Sequence, residues 1–227
     1  MPPPLKVRAV LIDLDGTLID TVLDLHAAAN AMQRDLGRPE VAVEAVRSYV
    51  GRGIPNLVKR VLAGSMVAAD DPAPPPKEAL DSFRHHYASA NGRHAVLFPG
   101  VLEGLEAFKA LDLPLGVITN KAQAFAVPLL EHVGLAPFFK VVVSGDVLPR
   151  PKPDPMPLVW ASGRLGTSPA DVLMIGDSVH DFHAGRAAGC HVFLVPYGYN
   201  EGRGVGDLAC DGIVSSLAEA AQRIRHA

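Results

Sequence analysis

Asp13-Leu14-Asp15-Gly16-Thr17 sets two carboxylates two residues apart directly after a short apolar run, Val7 to Ile12. In an extended segment residues i and i+2 point to the same side, so Asp13 and Asp15 can share one site. Two carboxylates held close push their pKa values apart, which leaves one as an anion and lets the other hold a proton to donate. That division suits attack on phosphorus by the first and protonation of a leaving alkoxide by the second. Taken alone, the pair also suits a turn in which Asp15 caps the helix that follows.

Three further groups extend the inventory. Thr119-Asn120 closes a second apolar run, Lys152 lies in Pro151-Lys152-Pro153-Asp154-Pro155 after a third, and Gly176-Asp177-Ser178-Val179-His180-Asp181 closes a fourth. A hydroxyl and an ammonium donate to phosphoryl oxygens, while a hard, oxygen-ligated divalent ion such as Mg²⁺ offsets the repulsion between an attacking carboxylate and an anionic phosphate. Nucleophile, acid, hydroxyl, ammonium and metal-type carboxylates together make a set suited to phosphoryl transfer.

The elements that must position these groups are legible from the same runs. Val7 to Ile12 reads as a strand buried on both faces, and further strand runs open at Leu115, Val141, Val172 and His191. Between them the spacing is helical, as at Leu102, Leu105, Phe108 and Leu111, and again at Val127, Leu130, Val133 and Leu135. Strands alternating with helices predict an α/β fold with a doubly wound parallel sheet, in which ligands bind outside the carboxyl ends of the strands. The segment 19–97 breaks the alternation: it holds no convincing strand and shows helical spacing at Val22, Leu25, Ala29, Met32 and Leu36 and at Ile54, Leu57, Val58, Val61 and Leu62. It is expected to be an all-helical insertion between core segments 1–18 and 98–227, with the proline-rich stretch Asp70 to Pro76 as a loop.

At this point the chain resembles the haloacid dehalogenase superfamily, whose four motifs match in order and spacing over essentially the whole length, with the helical insertion placed as a cap after the first motif. The resemblance implies that Asp13 is a nucleophile forming an aspartyl phosphate and Asp15 the general acid and then base. Thr119 and Lys152, with Asn120 beside them, would hold the transferring phosphoryl group. It further implies Mg²⁺ on the side chains of Asp13 and Asp177 and the backbone carbonyl of Asp15, with Asp181 ligating through water or bracing the site. Tyr49-Val50-Gly51-Arg52-Gly53, Asn91-Gly92-Arg93 and Tyr197-Gly198-Tyr199-Asn200 look like phosphoglycolate phosphatases in particular. Arg52 stands where that family often has Asn, and it is the expected partner of a substrate carboxylate. A β-phosphoglucomutase type or a phosphatase for another small metabolite is the alternative within the superfamily. A non-catalytic relative would show a degraded motif, and none is degraded.

Composition bounds the rest. Of 227 residues, 48% are apolar and 20% charged, which excludes disorder as the main state. With 21 basic against 24 acidic side chains the formal charge is -3, too near neutral to draw nucleic acid or anionic lipid by bulk field. The apolar stretch Ala9 to Ile12 ends at Asp13, far short of the roughly 20 residues of a membrane span. Two cysteines are too few for a disulfide framework. A cytoplasmic monomer or homodimer acting on a small phosphate monoester is the expectation. His180 and His183 lack a third soft ligand and are expected to pack or be solvated, and Lys59 is expected on a solvated face.

Overall fold

The structure is a computed structural model and describes residues 4–227. A six-stranded sheet forms the centre, with every neighbouring pair parallel, in the order β6 (Phe139–Val143), β5 (Leu115–Ile118), β2 (Ala9–Ile12), β7 (Val172–Gly176), β8 (His191–Leu194) and β9 (Gly212–Ile213). The run at the start of the chain is two strands rather than one. β1 (Leu5–Val7) pairs with β10 (Ile224–His226) in a separate two-stranded sheet, and the chain bends at exposed Arg8, whose N–H donates to the Asp171 carbonyl at 2.7 Å.

Successive side chains of a strand point to opposite faces, and β2 shows why its run is wholly apolar. Val10 and Ile12 enter one core with Leu105 and Phe108 of α5 (Val101–Ala110), Ala126 and Leu129 of α6 (Gln123–His132) and Leu217 and Ala220 of α9 (Leu217–Gln222). Ala9 and Leu11 enter the other, with Leu158 and Ala161 of α7 (Met156–Arg164) and Ala184 of α8 (Val179–Ala188). The fold is therefore α/β and doubly wound. In α5 the buried face is Val101, Gly104, Leu105 and Phe108, while Leu102, expected inside, is exposed. The cause is Gly104, which lies so close to α9 that an added Cβ would sit 2.4 Å from that of Leu217.

Between the first and second core strands stand four helices: α1 (Val22–Asp35), α2 (Val43–Tyr49), α3 (Gly53–Ala63) and α4 (Lys77–Ala90). They enclose a third core of Leu25, Met32, Val46, Leu57, Val61 and Phe83, closed from the α/β side by Phe125. The segment is not wholly without strands. β3 (Ile19–Asp20) and β4 (Val96–Leu97) pair antiparallel where the chain leaves and re-enters the α/β layer. Two-residue strands are too short to leave an alternation in the sequence, so the register Ile19↔Leu97 and Asp20↔Val96 is visible only in three dimensions. Asp24, fully buried on α1, accepts the backbone N–H groups of Gly92 and His94, each at 2.8 Å, which ties the end of the insertion to its beginning.

Candidate active site

Three neighbouring strands deliver the site: β2 ends in Asp13, β5 in Thr119-Asn120-Lys121 and β7 in Asp177. Asp13, Asp15, Thr119, Asn120, Lys121, Lys152 and Asp177 all line one cavity of about 60 Å³, whose other wall is apolar and helical: Leu25, Ile54 and Leu57. A wider cleft of about 540 Å³ adjoins it and carries Arg52, Arg84 and Asp146. After Asp15 the chain turns at Gly16, where φ is +90° and a Cβ would lie 2.5 Å from Asp177 Oδ2, so neither the conformation nor the space admits a side chain.

Lys152 spends its three hydrogens on Asp13 Oδ1 at 2.7 Å, Asp181 Oδ1 at 2.5 Å and the Ile118 carbonyl at 2.7 Å. Desolvation opposes its charge, but the two carboxylates hold its pKa above the ordinary lysine value. Asp181 does not line the cavity but meets Lys152. It is fully buried, and its Oδ2 accepts the N–H and O–H of Ser178, so it starts α8 with a capping box and braces Lys152 at once. Asp177 is fixed by Thr17 Oγ1 at 3.2 Å on Oδ1 and by the Tyr199 N–H at 2.6 Å on Oδ2. The Tyr197-Gly198-Tyr199-Asn200 stretch thus both lines the cavity and holds Asp177.

Asp13, Asp177 and Asp181 offer carboxylate oxygens within 4.8 Å of one another. Burial raises Asp13 well above its ordinary value against the pull of Lys152, and burial with the neighbouring Asp181 lifts Asp177 to about 6. Three buried carboxylates share one ammonium, a hard, all-oxygen donor set with negative charge to spare. That fits a small divalent cation.

Asp15 has different company. Thr21 Oγ1 donates to its Oδ1 at 2.6 Å, and Lys121 Nζ lies 3.0 and 3.3 Å from its two oxygens. Lys121 also donates to the hydroxyl of Tyr87 on α4 and sits 4.9 Å from the centre of that ring. Neither residue was among the candidates read from the sequence. Lys121 stands two positions after Thr119, the same i, i+2 relation that joins Asp13 and Asp15, and this was the signal available. Tyr87 repeats four residues after Phe83 on a helix face and reads as core, which by burial it is.

Arg52 lies beside the site rather than in the cavity of Asp13. Its guanidinium faces the wider cleft, with Nη1 3.0 Å from Asp70 and Nε 3.3 Å from Glu201, and it does not line the cavity of Asp13. The Asn120 amide donates to the carbonyls of Gly51 and Lys152, both at 3.0 Å, and so ties the helical segment to the α/β layer. His180 lies 3.4 Å from Glu201, and Lys59 donates to the Asp71 carbonyl at 2.6 Å.

The model of the haloacid dehalogenase-like hydrolases matches residues 10–195, which includes all four motifs. The chain belongs to that family. It is 51% identical over 224 residues to a phosphoglycolate phosphatase of Thiobacillus denitrificans, covering 99% of this chain and 98% of that one. It is 49% identical over 222 residues to a phosphoglycolate phosphatase of Nitrosospira multiformis, covering 98% and 97%. A crystal structure from Haemophilus somnus, described as a predicted phosphoglycolate phosphatase, superposes with a TM-score of 0.85 at 29% identity over 95% of this chain and 97% of that one. The protein is thus a hydrolase of this family, and among the described residues no helix is long and apolar enough to cross a membrane.

In this hydrolase, Gly198 is as confined in space as Gly16. A Cβ there would lie 2.2 Å from the Asp177 Cβ, so Gly198→Ala must displace that carboxylate. Activity is expected to fall about 10²-fold, the scale set by misplacing a reacting group by an ångström, and steady-state kinetics would register it.

Glu201 governs a separate property. It sits in the left-handed region (φ 52°) and meets buried Arg60 of α3 at 2.6 Å, with Arg52 and His180 on its other sides. Desolvation raises its pKa, but the contact with His180 and the hydrogen bond from Arg60 win and hold it near 2, below the ordinary 4.5. A depressed carboxyl stabilises the fold above its unfolded value and loses that contribution as pH falls toward its folded one. Glu201→Gln is therefore expected to lower stability at neutral pH by about 3 kcal/mol. The gap from wild type should close between about pH 4.5 and 2. Urea midpoints across that range would test it.

Proposed function

We propose that this hydrolase is a Mg²⁺-dependent phosphomonoesterase that converts 2-phosphoglycolate to glycolate and phosphate through an aspartyl phosphate on Asp13. One observation carries the reading. The two carboxylates of the first motif stand in different company within one cavity, Asp13 on Lys152 among the carboxylates of Asp177 and Asp181, Asp15 apart from them on Lys121 and Thr21, so two like groups can take two roles. The names of the relatives supply the substrate.

In the first step an Asp13 oxygen attacks phosphorus, the bond from phosphorus to the bridging oxygen breaks, and Asp15 gives that oxygen its proton. In the second, Asp15 takes a proton from water as the water oxygen attacks phosphorus, which frees phosphate and restores Asp13. The Thr119 hydroxyl, whose oxygen accepts the Lys121 N–H at 3.1 Å, keeps its hydrogen to donate to a phosphoryl oxygen. Lys152 orients Asp13. Mg²⁺ would be held by Asp13, Asp177 and the Asp15 carbonyl, with Asp181 bracing, and its charge would offset repulsion between Asp13 and the phosphate. Residues 19–97 would act as a cap that excludes bulk water.

A panel of phosphate monoesters, assayed with and without Mg²⁺, tests the reading. The expected result is a kcat/KM for 2-phosphoglycolate at least about tenfold above any other member, roughly the value of one good polar contact. Transfer of phosphoryl label between sugar phosphates would instead indicate a mutase. The reading includes a cytoplasmic place of work, as a monomer or homodimer.

A further inference from the structure

We propose that Lys121, with Tyr87 beside it, recognises the carboxylate of the substrate's leaving group and so determines specificity. The inference rests on the phosphoglycolate reading and names the contact which that reading leaves open.

Burying a carboxylate in a cavity is costly unless a cation or several hydrogen bonds meet it. Among the described residues, Lys121, Lys152 and His180 line this one, and Arg52 and Arg84 line the cleft beside it rather than the cavity itself. Lys152 has all three hydrogens committed to Asp13, Asp181 and Ile118. Arg52 is turned toward Asp70 and Glu201 in the neighbouring cleft. His180 is drawn to Glu201 at 3.4 Å. Lys121 remains. Its side chain is only 3% exposed, yet it lines the cavity, so whatever fills that space meets the ammonium without water between.

Position selects it as well. In 2-phosphoglycolate a single methylene separates the bridging oxygen from the carboxyl carbon. A cation that binds the carboxylate must therefore lie beside the group that protonates the bridging oxygen. Lys121 Nζ touches both oxygens of Asp15, at 3.0 and 3.3 Å. Tyr87 adds a second donor. Its oxygen accepts one ammonium hydrogen, and the phenol keeps its own hydrogen to give. Because the surrounding wall is Leu25, Ile54 and Leu57, an analogue without the carboxylate finds no substitute partner there. The Tyr87 hydroxyl hydrogen is then left without a partner in a buried place, and a site with an unpaired donor rejects the analogue. Tyr87 belongs to the helical segment and Lys121 to the α/β layer, so the carboxylate would also be gripped from both sides of the cavity.

The experiment compares 2-phosphoglycolate with ethyl phosphate, in which a methyl replaces the carboxylate, on wild type, Lys121→Met and Tyr87→Phe. Wild type is expected to prefer 2-phosphoglycolate by about 10³-fold in kcat/KM. Lys121→Met should slow both substrates but compress that ratio about 10²-fold, and Tyr87→Phe about tenfold. Equal losses on both substrates would mean that Lys121 only holds Asp15, and an unchanged ratio would place the carboxylate elsewhere; either overturns the proposal. Should Lys121→Met fail to fold, Tyr87→Phe removes one oxygen and carries the same comparison. A wild type that hydrolyses other esters but not 2-phosphoglycolate sinks the substrate reading instead, which keeps the two failures apart.

Discussion

Asp13→Asn is expected to remove turnover, by about 10⁴-fold or more in kcat, because an amide is no nucleophile toward phosphorus and nothing else in the cavity stands in its place. The same change should not destabilise the protein. Asp13 is buried beside Asp177 and Asp181, and burial first, with those two carboxylates second, holds its pKa well above the ordinary value. An amide oxygen still accepts from Lys152 while one of three crowded charges is gone. Without added metal, Asp13→Asn is expected to melt at or slightly above the wild-type temperature, by about 2–4 °C for each kcal/mol relieved. Loss of activity with an unchanged or raised melting temperature separates a chemical role from a structural one; loss of both would assign Asp13 to the fold.

Removal of divalent metal should have an effect of similar size. Asp13, Asp177 and Asp181 gather within 4.8 Å around one ammonium, and a chelated enzyme is expected to show background turnover that Mg²⁺ restores. Ca²⁺ should bind yet support little turnover, since its larger and looser shell does not hold in-line geometry. A readout independent of activity is available. Mg²⁺ at 100 times its dissociation constant should stabilise the fold by about 2.7 kcal/mol through mass action. Asp177→Asn should lose most of that increment. Full turnover in excess chelator, with no thermal shift on adding Mg²⁺, would remove the metal from the account.

Much of this was legible in the sequence because strand ends announce themselves. An apolar run such as Ala9 to Ile12 or Val172 to Ile175 is buried on both faces, and the first polar residues beyond it, Asp13 and Asp177, fall at the edge where ligands bind. What stayed hidden depends on contacts between distant segments. Lys121 and Tyr87 are 34 positions apart and acquire meaning only by touching. Arg52, flanked by two glycines, had the right charge and apparent freedom. Glu201, 149 positions away, draws its guanidinium toward another cleft, and no local pattern carries that pairing. The strands β3 and β4 are likewise a long-range pairing of two-residue pieces.

The measurement that bears most directly on the central claim uses Asp15→Asn with p-nitrophenyl phosphate. The p-nitrophenolate leaving group needs little protonation, so Asp13 should still be phosphorylated. The second step needs Asp15 to take a proton from water and should slow by about 10² to 10⁴. Rapid mixing is expected to give a burst of about one p-nitrophenolate per enzyme molecule, the fingerprint of an accumulating covalent intermediate. Phosphoryl label should then be recovered on the peptide that contains Asp13. Slow linear release without a burst, or label on any other residue, would contradict the assignment of Asp13 as the nucleophile and Asp15 as its acid and base.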